Sequence, residues 1–333
     1  MAVTSVHLTT HSGVKDIYIT EDYKFALVVT FSGVECVNLL TTEVVSSGTI
    51  PGGYRPMCVA ADWVTATGLL YVGTSGGGIF TAPYHPIRQP QSNFSGSLTL
   101  AYSTATPTPV SSNIITDIVV RPPWLFVGTT SGVDFITNER RSVASTVSGT
   151  TNVILTESGG GYWTTTSSIQ VNYNLPNSTG TGIINVDFEY TPDSDPPLLG
   201  IPPAGIAVSA TSPRTLAFAT PSGAVVIEER QGMESTAQRK LYQDPNEGFE
   251  PVPPGFVGIG LPSKALYNSG LLYATTTGTA RIFDLSIDPS VDEPLNFPQS
   301  YDTIFNATGG VARGQTLVSG VVNTNTLQLT SLA

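Results

Sequence analysis

Three observations predict the fold class, which is all-β: a seven-bladed β-propeller closed by the N-terminal strand. The first is a three-run unit. An apolar run, Ile114 to Val120, meets a break at Arg121-Pro122-Pro123. A second run, Trp124 to Val127, meets the small-residue turn Thr129-Thr130-Ser131-Gly132, and a third, Val133 to Ile136, closes the unit. Short β-rich runs separated by turn residues make an antiparallel meander. The second observation is that the turn recurs. It is seen at Thr30-Phe31-Ser32-Gly33, Thr74-Ser75-Gly76-Gly77, Thr165-Thr166-Ser167-Ser168, Thr220-Pro221-Ser222-Gly223 and Thr275-Thr276-Thr277-Gly278, with a degenerate copy at Asn323-Thr324-Asn325-Thr326. This spacing brackets the roughly 40 to 50 residues of a four-stranded blade. Glycine at the end of the turn accepts positive φ, and Ser or Thr hydroxyls bond the local backbone. The third observation concerns the ends. The seventh unit has no fourth strand before Ala333, and Val3 to Thr9 is a strand without a unit. Pairing the two removes an exposed edge. A sandwich or a β-helix is the alternative architecture.

The elements follow in order, each blade running from strand A at the axis to strand D outside. Blade one is Val14 to Ile19, Phe25 to Val29, Val34 to Leu39 and a strand near Val44 to Ile50. Blade two is Cys58 to Ala61, Leu69 to Val72 and Gly78 to Ala82, with an outer strand near Leu98 to Tyr102 after the insertion Pro83 to Asn93. Blade three adds Ser142 to Val147 to the unit described first. Blade four is Val153 to Thr156, Tyr162 to Thr165, Ile169 to Asn174 and Ile183 to Tyr190. Blade five is Ile206 to Ser209, Thr215 to Ala219 and Ala224 to Glu228, and its outer region, Met233 to Tyr242, is the one stretch that reads as helical. Blade six is Ala265 to Asn268, Leu271 to Ala274 and Thr279 to Leu285, with a poor outer strand. Blade seven is Thr303 to Ala307, Thr316 to Gly320 and Thr326 to Thr330. The whole chain, 1–333, is one domain on this reading.

Composition narrows the partners. Only 12% of residues are charged, against about 25% in ordinary soluble domains. The net charge of -11, with no basic cluster beyond Arg140-Arg141 and Arg239-Lys240, argues against nucleic acid or an anionic membrane as partner. No apolar run is long enough for a transmembrane helix. The opening MAVTSVHLTT lacks the basic and continuous apolar regions of a signal peptide. Cys36 and Cys58 fall inside predicted strands and read as buried thiols.

The chemistry-bearing residues are few. Of the three histidines, His7 and His11 flank the closing strand and His85 sits in a loop, none beside a carboxylate or cysteine that would complete a metal set. Gly76-Gly77-Gly78 is a hairpin turn, not a phosphate cradle, because no helix follows it. One constellation stands out. Aligning the starts of the A strands places Asp16, Asp117, Asn152, Lys264 and Asp302 at equivalent positions around the mouth of a central channel. Convergent carboxylates there hold a cation or orient a ligand. The favoured reading is that the strand-entry aspartates accept hydrogen bonds from turns of the neighbouring blade. Two long Pro-rich connections, Thr191 to Gly205 and Gln243 to Ser263, carry acids and the apolar residues Leu198, Leu199, Phe249 and Phe256, which predicts a partner-binding surface.

The runs Trp124-Leu125-Phe126-Val127-Gly128-Thr129-Thr130-Ser131-Gly132-Val133 and Leu70-Tyr71-Val72-Gly73-Thr74 resemble the LWVGT-x-x-GL repeat of two-component-sensor propellers. Phe25 to Val45 is similar to the YVTN-type propeller repeat. The resemblance covers the blade cores and implies the propeller fold. With few lysines and stiff Pro-rich loops, the composition resembles that of bacteriophage virion proteins of tail, baseplate or head. The expected function is therefore a non-enzymatic structural and protein-interaction module, without cofactor or metal, located in a virion and binding other structural proteins or copies of itself. A ligand- or glycan-binding propeller is the alternative, followed by a hydrolase or lyase.

Overall fold

In a computed structural model the chain is all-β, with 28 strands and one 3-10 turn, Pro51–Gly53, among the described residues. It describes residues 3–9, 13–20, 24–62, 68–84, 94, 96–122, 124–137, 140–145, 153–155, 161–172, 186–191, 205–208, 214–220, 223–229, 238–242, 263–268, 271–276, 279–284, 307–313, 316–321 and 326–331. The described strands form seven small sheets of antiparallel neighbours, with one short parallel pair at the edge of the first. Sheet I holds β2 (Val14–Ile19), β3 (Phe25–Thr30), β4 (Gly33–Asn38) and β5 (Glu43–Thr49). Sheet II holds β6 (Pro56–Ala61), β7 (Leu69–Thr74), β8 (Ile79–Pro83) and β10 (Thr99–Tyr102); the short β9 (Gly96–Ser97) belongs to sheet I. Sheet III is β11 (Ile115–Arg121), β12 (Trp124–Thr129), β13 (Gly132–Thr137) and β14 (Arg140–Ser145). Sheet IV is β15 (Val153–Leu155), β16 (Gly161–Thr164), β17 (Ile169–Asn172) and β18 (Phe188–Tyr190). Sheet V is β19 (Gly205–Val208), β20 (Arg214–Thr220), β21 (Gly223–Glu229) and β22 (Gln238–Tyr242). Sheet VI is β23 (Ser263–Asn268), β24 (Leu271–Thr276) and β25 (Thr279–Asp284). Sheet VII is β26 (Ala307–Arg313), β27 (Thr316–Val321) and β28 (Thr326–Ser331), completed by the first strand of the chain, β1 (Val3–His7), which pairs with β28 from Val3↔Thr330 to His7↔Thr326.

Adjacent sheets pack face to face, so an inner strand such as β3 serves two cores at once. On β3 every residue is buried. Phe25, Leu27 and Val29 join Val59, Ala61, Leu70, Val72 and Phe80 of sheet II. The alternating Ala26 and Val28 join Val318, Leu327 and Leu329 of sheet VII, with Val6 and Leu8 at the N-terminus. On sheet III, Ile118, Leu125, Val127 and Ile136 meet Cys58, Ala60 and Ile79 of sheet II, and Phe126, Val133 and Phe135 meet Val153 and Trp163 of sheet IV. A strand buried on both faces reads as a continuous apolar run and not as an alternating one. Each large aliphatic or aromatic side chain so buried contributes about 1.5–3 kcal/mol. The first strands also touch in series: β2 with β6, β6 with β11, β11 with β15, β15 with β19, β19 with β23, β23 with β26, and β26 with β2.

The threonine of the recurrent turn works as expected. Thr129 Oγ1 donates to the Gly132 carbonyl at 2.9 Å and accepts the Ser131 N–H at 3.1 Å. Thr74 repeats this with Gly78 (2.8 Å) and Gly77 (2.9 Å), and Thr165 with Ser168 (3.3 Å) and Ser167 (3.2 Å). Gly132 (φ +135) and Gly78 (φ +87) adopt the backbone that L side chains resist.

Two expectations are revised and one unforeseen feature is added. The region from Met233 to Tyr242 carries a strand, Gln238–Tyr242, which pairs with β21 and takes its conformation from that edge. The first strand of sheet VII lies at Ala307–Arg313, later than Thr303 to Ala307. The chain after β8 returns to sheet I, where Gly48↔Gly96 and Thr49↔Ser97 pair in parallel and Phe94 and Leu98 enter the core between sheets I and II. No helix among the described residues is long and apolar enough to cross a membrane.

Candidate functional site

The residues expected at a channel mouth sit where the first strands change register. Shifts occur between Val14 and Asp16, Pro56 and Cys58, Ile115 and Asp117, and Ser263 and Leu266. Asp16 and Asp117 are 8% and 2% exposed. Their carboxylates turn toward the next sheet. Asp16 Oδ2 accepts the Val59 N–H at 2.8 Å, and Asp117 Oδ2 accepts the Val153 N–H at 3.0 Å. Val59 and Val153 occupy the same place on β6 and β15, each paired across its sheet to the residue two before the turn threonine. Sheet II carries Cys58 where sheets I and III carry aspartate. The N–H that lacks a carboxylate from sheet II is that of Ile118, and Asp117 Oδ1 accepts it at 2.9 Å. These aspartates fasten one sheet to the next. Lys264 lies inside the register shift of β23, and Asn152, Asp302, Leu198, Leu199, Phe249 and Phe256 lie outside the described residues.

A second set of polar residues occupies the third strands, two positions after the turn. Glu35 and Asp134 are fully buried. Glu35 accepts both the N–H (3.1 Å) and the hydroxyl (2.7 Å) of Thr9. Asp134 accepts the N–H and the hydroxyl (2.7 Å) of Ser111. Thr9 follows β1 and Ser111 follows β10, so in both cases the connection entering a sheet is tied to that sheet's third strand. On sheet IV the position is Gln170, whose Oε1 accepts the Trp163 indole N–H at 2.7 Å while its Nε2 donates to Glu189 at 3.1 Å. A buried charge-assisted pair of this kind leaves no donor orphaned and is worth more than a neutral bond. Sequence reasoning passed over these acids. Their signal was an acid inside an apolar run, Val34-Glu35-Cys36 and Val133-Asp134-Phe135.

Cys36 and Cys58 are free thiols buried in different cores. Burial pushes the Cys36 thiol up to about 12, opposed by its contact with the Tyr84 hydroxyl at 3.8 Å. His7 Nδ1 lies 3.2 Å from Thr326 Oγ1 on the partner strand. Among the described residues no three His, Cys, Asp or Glu side chains form a metal-sized group.

The exposed surface over sheets I and II differs in character. Phe31, in the turn between β3 and β4, is 40% exposed, and Tyr54, in the connection from sheet I to sheet II, is 43% exposed. Lys15 Nζ lies 4.4 Å from the centroid of the Phe31 ring, and Arg55 Cζ lies 5.9 Å from it.

No protein-family model matches this chain, and no curated protein matches it. Among solved structures it is similar to the computationally designed Ika8 protein, with a TM-score of 0.55, 10% identity and 98% of each chain covered. At that identity the likeness concerns the fold alone.

Proposed function

We propose that the seven sheets are the blades of a closed β-propeller, related to the sensor-type and YVTN-type repeats. On this reading the chain is a non-enzymatic structural and protein-interaction module of an assembly, with a bacteriophage virion as its place. One observation carries the structural role: the buried acids of the described sheets serve the scaffold. Asp16 and Asp117 hold backbone N–H groups of the following sheet, and Glu35 and Asp134 hold incoming connections. The serial contacts of the first strands, returning from β26 to β2, support closure. So does the completion of sheet VII by β1.

The partner surface in this proposal is the face of the long connections. Replacing Leu198, Leu199, Phe249 and Phe256 with serine abolishes assembly, followed by sedimentation and electron microscopy, while the protein stays folded. Normal incorporation of the folded variant overturns the proposal. Turnover of a glycoside, lactone or ester that disappears in Asp16→Asn or Asp117→Asn replaces it with an enzymatic reading. A second reading, a ligand- or glycan-binding propeller, has the cation and aromatic cluster around Phe31 in its favour.

A further inference from the structure

We infer that the surface formed by Lys15, Phe31, Tyr54 and Arg55 is a binding site for a carboxylated saccharide, a function beyond the scaffold role and independent of assembly.

Positive charge is scarce in this chain, 14 Lys and Arg in 333 residues with a net charge of -11. Two of those cations nevertheless converge on one ring. Lys15 is the bulged residue of β2, and the same register shift that turns Asp16 inward puts Lys15 on the surface. Arg55 arrives from the connection between sheets I and II, where its carbonyl accepts the Ser75 N–H at 2.9 Å and so ties the connection to the β7–β8 turn. Neither cation has a carboxylate partner among the described residues. Each is held only weakly by the ring face at an exposed site, and the two repel each other. An anion seated between them relieves that repulsion and takes the planar, bidentate hydrogen bonding that a guanidinium offers to a carboxylate.

The two aromatic rings occupy built positions. A side chain at Gly13 (φ +97) would put its Cβ 2.0 Å from Phe31 Cε2, and one at Gly77 would put its Cβ 2.4 Å from Tyr54 Cδ2. Glycine at both places lets the rings lie down on the backbone. Tyr54 therefore has one face against Gly77 and is held at its far side near Phe80, 6.3 Å between centroids. Its exposed part is a fixed apolar platform ringed by the exposed backbone of Gly52 and Gly53. Tyr54 directly precedes Arg55, so this platform adjoins the cation that shares the Phe31 ring with Lys15, and together they match a sugar ring with an apolar face and a carboxylate.

An acidic peptide fits less well. Peptides dock by adding a strand to a free edge or by filling a groove. Here the neighbouring backbone is already used: Ser75 bridges to Ile114 and donates to Arg55.

The experiment is calorimetric titration of the full chain with a hexamer of galacturonate, with neutral maltohexaose and hexaglutamate as controls. The expected result is binding of the galacturonate hexamer that weakens with added salt and is lost with maltohexaose. Lys15→Gln and Arg55→Gln each weaken it about tenfold. Lys15→Arg retains it, and Tyr54→Ala weakens it with no change in salt dependence. The cations are exposed, so unchanged melting temperatures separate lost binding from lost folding. Absence of binding overturns the inference. Binding insensitive to Lys15→Gln and Arg55→Gln also overturns it, as does equal binding of hexaglutamate with the same sensitivity, which would make this a site for acidic peptide.

Discussion

Replacing Asp117 with alanine tests the fastening of one sheet to the next. The Asp117 side chain is 2% exposed and accepts the N–H of Val153 on sheet IV at 3.0 Å and that of Ile118 at 2.9 Å. A hydrogen bond to a charged group is worth about 1.5–3 kcal/mol, so losing two costs about 3–6 kcal/mol. The N–H groups are left without their acceptor, which places the effect toward the upper end. For 333 residues the unfolding entropy is about 0.7 kcal/mol per degree, so the melting temperature falls by about 4–9 °C. The assay is thermal unfolding followed by circular dichroism. A second variant sharpens it. Cys58→Asp supplies a carboxylate at the place where sheet II lacks one, facing the Ile118 N–H, and in the Asp117→Ala background it restores part of the loss. A change of less than about 1 kcal/mol in Asp117→Ala, the size of an ordinary substitution, refutes the fastening.

Deleting residues 1–10 removes β1, the buried Val6 and Leu8, and the two Thr9 donors to Glu35. At about 1.5–3 kcal/mol for each apolar side chain, before the charged bonds are added, the variant aggregates or melts far lower, and a variant as soluble and stable as the full chain contradicts this. The Cys36 thiol, held up to about 12 by burial, stays protonated in the folded protein through alkaline pH. In the unfolded chain it ionises from about 8.5 upward, so its contribution to stability is intact below that pH and is lost progressively between there and about 12. Thiol titration with a chromogenic disulfide at mildly alkaline pH finds Cys36 unreactive until denaturant is added, and rapid reaction in the folded protein contradicts the burial.

Much of the fold was legible because the two-faced burial of the sheets leaves a plain mark. Phe25 to Thr30 and Trp124 to Thr129 are continuous apolar runs ending in a threonine whose hydroxyl closes the turn. The unmatched strand at Val3–His7 was equally visible, since a strand with no partner in its own unit needs one elsewhere. Gln238–Tyr242 was not. Its residues favour no particular state, and pairing with β21 decides it. The parallel pairing of Gly96 and Ser97 with β5 was also hidden, because two residues of glycine and serine carry no periodic signal. Of the site residues, the aspartates at the strand starts were found by aligning the strands, and so was their role as acceptors from the neighbouring sheet, but the bulge that aims them was not. The bulge at Val14 to Asp16 sends Asp16 to the next sheet and leaves Lys15 at the surface, and a one-residue change of register is invisible in composition. Glu35 and Asp134 were passed over because an acid in a predicted strand reads as a solvent-facing position, whereas here both faces are buried.

The first and last strands of the chain pair with each other and complete sheet VII. Ser5 and Gln328 are direct partners in the β1–β28 ladder. Facing residues of antiparallel strands have Cα atoms about 4.5–5.5 Å apart, within reach of a disulfide. Ser5→Cys with Gln328→Cys, in a background where Cys36 and Cys58 are replaced by alanine or serine, is oxidised mildly and run on a denaturing gel without reductant. The expected product is a monomer of increased mobility, with the two strands linked within one chain. Linked dimers and higher species, or reduced monomer alone, contradict it.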